Sequence, residues 1–289
     1  THHSPPHTTR HTSHSPTRTV PEPVVADGGF TRAALVARRM TDGGEVVETA
    51  GLRKEYGDTV AVASLDLSIP AGEVYGLLGP NGAGKTTTMR LLTTLVEPTA
   101  GTARICGTPV TNRRAVASEV GFLPEEPPLY DELTGREQLE YAAGIRGLSV
   151  DAETALTRAG LGDAVDRRIE AYSTGMAKRL GLLQATVHDP ALLVLDEPTN
   201  GLDPRAARRV RETVQTVAAR GTTVLLSTHV LPVAEAVSDR VGVFVDGRLR
   251  AEGPPTELRD HREDLEDAFL RLTDDRTATD RRPVAEVDD

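Results

Sequence analysis

A strand that runs into Gly79-Pro80-Asn81-Gly82-Ala83-Gly84-Lys85-Thr86-Thr87 leaves a chain few ways to fold. The spacing G-x-x-x-x-G-K-T follows an apolar run, Val74-Tyr75-Gly76-Leu77-Leu78, that reads as a buried strand. It precedes Thr86 to Val96, which reads as a helix, so the motif falls at the strand-to-helix turn that a phosphate-binding loop requires. Glycines let the backbone wrap closely around an anion, with N–H groups and the helix N-terminus directed at the β-phosphate. In such a loop Lys85 reaches the β- and γ-phosphates and the Thr86 hydroxyl ligates Mg²⁺. An ordinary glycine-rich turn would need neither side chain.

A second apolar strand, Leu192-Leu193-Val194-Leu195, ends in two adjacent carboxylates, Asp196 and Glu197. Beside a phosphate loop their roles divide: Asp196 holds Mg²⁺ directly or through water, and Glu197 polarises the water that attacks the γ-phosphate. A strand end with two solvated acids is the plainer alternative.

Strands alternate with helices from Leu192 onward: Leu192 to Leu195, a helix from 204, Val224 to Ser227, a helix from 231, and Val241 to Val245. That order predicts an α/β fold, a parallel sheet covered by helices. The 204 helix has the clearest local signals, with Asp203 as cap, Pro204 in the first turn, Val210, Val214 and Val217 on one face and Gly221 after its end. Upstream, alternation over Val46 to Ala50 and over Val60 to Ile69 predicts antiparallel strands leading into the phosphate loop. Residues 128–185 read as a helical insert that opens with the capping box Thr134-x-x-Glu137. Asp246-Gly247 reads as a hairpin turn.

Residues 1–44, rich in Thr, Ser, Pro and His, and the acidic stretch 273–289 are expected to be loose tails around an ordered domain at 45–272. The irregular spacing of the early histidines favours adventitious metal contacts over a built site. Cys106 is the single cysteine, which rules out an internal disulfide; it is expected as a half-buried strand residue without a function. No stretch reaches membrane-spanning length and no signal peptide is legible, so a cytoplasmic location is expected. The net charge of −10 and the lack of a basic cluster argue against nucleic acid as a partner. Only Lys54, Lys85 and Lys178 are lysines among 33 basic residues, a bias that either an acidic high-salt surface or a GC-rich genome explains.

Tyr172-Ser173-Thr174-Gly175-Met176-Ala177-Lys178-Arg179, placed 23 residues before Asp196, resembles the signature sequence of ATP-binding cassette (ABC) ATPases, with tyrosine in place of the leading leucine. The resemblance runs from about Val46 to Leu272. It implies a P-loop NTPase core, mainly parallel with helices on both faces, plus an N-terminal antiparallel β-subdomain and an inserted helical subdomain. It also implies that Ser173 and the Gly175 N–H serve the ATP of a second copy of the chain, although Ser173 reads equally as a helix N-cap. Tyr56 resembles the aromatic residue that stacks on adenine, while a tyrosine before a strand more often packs. His229 resembles the switch histidine that contacts the γ-phosphate and orients Glu197. Asn200-Gly201-Leu202-Asp203 resembles the loop that couples two facing sites. Glu125 stands where the family usually has glutamine; its carboxylate offers an oxygen to Mg²⁺ but adds charge near the γ-phosphate.

Glu125, the Tyr-Ser-Thr-Gly-Met segment and the late Leu265 to Leu270 look like exporter-type cassettes that work with separate transmembrane permease subunits at the cytoplasmic face of the membrane. The resemblance thus implies an ATPase that uses ATP and Mg²⁺ to drive export. The alternative from another class is a soluble cassette ATPase acting on ribosomes, DNA or cluster assembly. Against it stand a single cassette and the spacing of Ser173, only 88 positions after Lys85, too short for a long coiled coil. A P-loop small-molecule kinase would leave the Ser173 segment without a purpose.

Overall fold

The computed structural model describes residues 44–258, 267 and 269–271. The tails expected at 1–44 and 273–289 therefore lie, apart from Gly44, outside the described residues. The chain runs β1 (Glu45–Tyr56), β2 (Thr59–Pro70), β3 (Val74–Leu78), α1 (Lys85–Leu92), β4 (Ala100–Ile105), β5 (Thr108–Pro109), α2 (Arg113–Glu119) and β6 (Val120–Leu123). It continues through α3 (Gly135–Ile145), α4 (Ala152–Arg158), two 3₁₀ turns, α5 (Thr174–Thr186), β7 (Leu192–Asp196), α6 (Pro204–Ala218), β8 (Thr223–Thr228), α7 (Leu231–Val237), β9 (Arg240–Val245) and β10 (Arg248–Gly253).

Ten strands form one sheet in the order β5-β4-β1-β2-β10-β9-β3-β8-β7-β6. Its two halves differ because their sequences differ. Strands β3, β7 and β8 are buried at every position, as parallel strands covered on both faces must be, and they read as continuous apolar runs. The pairs β9–β3, β3–β8, β8–β7 and β7–β6 are all parallel. Strand β2 instead alternates buried and exposed residues along most of its length, the signature of a sheet with one wet face, and β1 pairs antiparallel with both β2 and β4. A single parallel bridge, Arg248 to Ser64, joins the halves.

Side-chain alternation sorts the core into two layers. Leu192, Val194 and Leu225 point to the side covered by α1 through Met89, Leu91 and Leu92. Leu193, Leu195, Val224 and Leu226 point to the side where Leu182 and Ala185 of α5 and Val214 of α6 pack. Each such fully buried leucine is worth roughly 1.5–3 kcal/mol relative to exposure. The sheet's central strands are thus gripped from both faces, and their C-terminal ends are held in fixed register.

The helical segment has its own core around Leu139, Leu156, Leu161 and Leu180. Its capping box forms as expected: Thr134 accepts from the Glu137 N–H and Glu137 returns a bond to the Thr134 N–H. Two details differ from the sequence reading. Helix α1 stops at Leu92 rather than Val96, because Thr94 turns to φ 63° and ends the helical path. Cys106 lies in the β4–β5 turn at φ 52°, not in a strand, since β4 ends at Ile105 and the chain reverses at Cys106-Gly107.

Candidate functional site

The loop between β3 and α1 lines a cavity of about 380 Å³. Gly84, the cap of α1, adopts φ 105° and leaves no room for a side chain: a Cβ there would collide with the Ala61 carbonyl oxygen. A Cβ on Gly79 would collide with the carbonyl oxygen of Phe244. These contacts press the loop onto β2 and β9 and hold it open toward the cavity. The opening turn of α1 supplies a favourable place for a negative charge.

Lys85 is 6% exposed. Its ammonium donates to the carbonyls of Gly79 at 2.6 Å and Pro80 at 3.2 Å and lies 3.8 Å from Glu197 Oε1. Burial pushes its pKa below the ordinary lysine value, while Glu197, Asp196 and Glu125 oppose that shift. A phosphate entering the cavity would meet a nearly dry cation with few competing waters.

Glu197 closes the opposite wall. It is buried and takes φ 46°, a left-handed conformation that costs a non-glycine residue of order 1–3 kcal/mol and persists only where surrounding bonds enforce it. Four hydrogen bonds surround it, one of them from the Asn200 N–H to its carbonyl at 3.1 Å. Its N–H donates to Ser227 Oγ at 3.0 Å, its carbonyl accepts from Lys178 Nζ at 2.8 Å, and His229 Nδ1 lies 2.9 Å from Oε1. Oε2 is buried without a hydrogen-bond partner. One oxygen is therefore oriented by histidine, and the other is left as an acceptor. Ser227 also donates to Asp196 Oδ1 at 2.6 Å, which ties the two carboxylates to β8.

Asn81, Gly82, Ala83, Gly84, Lys85, Thr86, Thr87, Glu125, Glu197 and His229 all line the cavity. Gly79 and Pro80 stand behind it as the carbonyl partners of Lys85, and Asp196 lies one residue back along β7. The remaining candidates are elsewhere. Tyr56 is 46% exposed at the end of β1, with Lys54 Nζ 5.0 Å from its ring centroid; its neighbours Thr59, Val60 and Ala61 line the cavity. Ser173 is exposed and caps α5 by accepting from the Met176 N–H at 3.3 Å. Gly175 faces Ala206 at the start of α6. Asp203 caps α6, accepting from the Arg205 and Ala206 N–H groups.

Several contacts at the site were not legible in the sequence, although Asn200 and Lys178 stand in segments already singled out there. Asn200 lines the cavity and donates to Glu125 Oε1 at 2.7 Å across 75 residues. Ser227 is fully buried between the Asp196 carboxylate and the Glu197 N–H. Lys178 is 3% exposed. Its place in the Tyr172 to Arg179 segment and its rarity, one lysine of three beside thirty arginines, were the signals that could have singled it out.

The donor set fits a magnesium nucleotide: a hydroxyl at Thr86, the carboxylates Asp196, Glu197 and Glu125, an orphaned buried carboxylate oxygen and a desolvated lysine face one cavity or back it.

A family model described as ABC transporter matches residues 62–200. The daunorubicin/doxorubicin resistance ATP-binding protein DrrA of Streptomyces peucetius is 44% identical over 219 residues, which are 74% of this chain and 66% of that protein. The Nod factor export ATP-binding protein I of Burkholderia orbicola is 43% identical over 218 residues, 73% of this chain and 72% of that one. A solved structure described as an ATP-binding subunit of an ABC transporter superposes with a TM-score of 0.72 at 30% identity, covering 78% of this chain and 99% of its own.

Proposed function

As the chain belongs to the ABC transporter family, among its exporter-type ATP-binding subunits, we propose that it hydrolyses Mg·ATP between its own phosphate loop and Ser173 of a second copy, and thereby powers export through separate transmembrane permease subunits. The observation that carries this reading is the wall opposite the loop, where a carboxylate with one oxygen beside histidine and the other unpartnered faces Lys85.

Gly82 to Thr87 cradle the phosphates and Lys85 neutralises the β- and γ-oxygens. Thr86, Asp196 and Glu125 would hold Mg²⁺, whose charge stabilises that developing on the phosphates during transfer. Glu197 accepts the proton of the attacking water, and His229 holds the carboxylate in line. Tyr56 supports the base by stacking, with Lys54 beside its ring.

Ser173 and Gly175 support a two-chain site by where they stand. Ser173 and Thr174 are exposed and form no part of this chain's own cavity, yet they open a helix whose N-terminus suits a phosphate. Residues 45–272 form the cassette on this reading. Among the described residues no helix is long and apolar enough to cross a membrane; on this reading the permease subunits carry the substrate across, and the cassette works at the cytoplasmic face. The export and resistance functions in the relatives' names favour this over a role on ribosomes or DNA.

The test is turnover per chain as a function of concentration, paired with Ser173→Thr, which keeps the capping oxygen but adds a methyl group at the exposed face. Turnover rises with concentration, and the variant loses rate without losing thermal stability. Full-speed hydrolysis that ignores dilution and Ser173→Thr would sink the two-chain site.

A further inference from the structure

We propose that Lys178 is a positioning residue for hydrolysis: it clamps the backbone of Glu197 so that the carboxylate stays turned toward the phosphate loop. The inference rests on the ATPase reading above and assigns a role to a residue that does not itself line the cavity.

Glu197 sits at φ 46°, where a residue with a side chain does not stay without help. Three bonds grip its peptide groups. Ser227 of β8 accepts from its N–H, and Lys178 of α5 donates to its carbonyl at 2.8 Å. The third runs from the Asn200 N–H to the same carbonyl at 3.1 Å. The serine anchors it to the sheet; the lysine anchors it to the helix that Ser173 opens. Without Lys178, the carbonyl would lose its only charged donor and keep the Asn200 N–H alone, a bond within the same turn that leaves the peptide untied to α5.

Burial makes the clamp stringent. Lys178 is 3% exposed, and burial lowers its pKa while Glu125, Glu197 and Asp196 resist the change. A buried ammonium is costly unless it is used. Composition points the same way. In a chain with thirty arginines, lysine survives at three positions: Lys85 in the loop, Lys54 beside Tyr56, and Lys178 behind Glu197. An arginine fork would bring five donors to a site that offers one carbonyl; a lysine is a compact cation that one carbonyl and the nearby carboxylates can satisfy.

The experiment compares the full chain with Lys178→Met, which keeps the apolar stem and removes the donor. Steady-state kcat falls roughly ten- to a hundredfold, as expected for a reacting group displaced by about an ångström, while the affinity for a fluorescent ATP analogue and KM stay near wild type. Adding Lys178→Met to Glu197→Gln costs nothing further, because the clamp acts only through that carboxylate. If Lys178→Met fails to fold, Lys178→Leu, which also removes the donor, must show the same split between kcat and KM, and Lys178→Gln, which keeps a neutral donor, must lose less kcat than either. An unchanged kcat, an affinity that falls with kcat, or losses that multiply in the double variant would each overturn the inference. A wild-type chain that bound Mg·ATP and turned none over would instead overturn the ATPase reading beneath it.

Discussion

His229 Nδ1 lies 2.9 Å from Glu197 Oε1, and the imidazole is 41% exposed while the carboxylate is 9% exposed. The pair thus joins a fixed buried group to one that a ligand in the cavity can reach. Glu197→Gln keeps the oxygen that faces histidine but removes the basicity. Turnover drops about 10²–10⁴-fold, the range of a lost general base, with Mg·ATP binding intact and ATP-bound dimers accumulating on gel filtration. A variant with normal phosphate release would remove Glu197 from the chemistry.

Ser227 is fully buried, with the Glu197 N–H on one side and Asp196 Oδ1 on the other. Ser227→Ala strands one donor and one acceptor in the interior. The expected loss is about 1–3 kcal/mol for each unsatisfied group, seen as a melting point several degrees lower, together with a fall in kcat. A silent variant would mean that water replaces the hydroxyl, and that the strained φ of Glu197 does not depend on it.

At the far end of the loop, Tyr56 is exposed and lies under Lys54. Because so little of the ring is packed, Tyr56→Ala leaves the melting curve in place. It weakens ATP binding by the worth of one base stack, about 1–3 kcal/mol, and weakens triphosphate binding hardly at all. Equal losses for ATP and inorganic triphosphate would place the ring somewhere other than the base.

What could be read from the sequence was local. The phosphate loop, the Asp203 cap with Pro204 behind it, the Thr134–Glu137 capping box and the buried runs of β3 and β7 each depend on residues within a turn or a strand of one another. What escaped was made by distant partners or by backbone angles. The short strand Val120–Leu123 carries no alternation, and only its pairing with β7 defines it. The Asn200 to Glu125 bond spans 75 residues. The left-handed turns at Cys106 and Glu197 are set by the surrounding fold, since neither residue prefers them. Lys178 could be named as part of a motif, but its target is the carbonyl of a residue 19 positions away. Chemistry written in one segment was therefore legible; the contacts that hold that chemistry in place were not.

The last prediction concerns pH and follows from where Lys85 is buried. Its folded pKa is lowered, chiefly by loss of hydration, from an ordinary value of 10.5. Between the lowered value and 10.5 the unfolded chain binds more protons than the folded one, so this residue's contribution to stability improves as pH rises through that window. Nucleotide affinity runs the other way. Phosphates favour the charged lysine, which raises its pKa in the complex, so binding takes up a proton and weakens as pH climbs past the free site's pKa. Fluorescence titrations with ATP, metal-free so that hydroxide does not compete at magnesium, show affinity declining toward pH 10.5 in the wild type. Lys85→Met binds weakly at every pH and shows no such decline. Parallel slopes in the two proteins would assign the proton to another group and leave Lys85 without the phosphate contact on which the site depends.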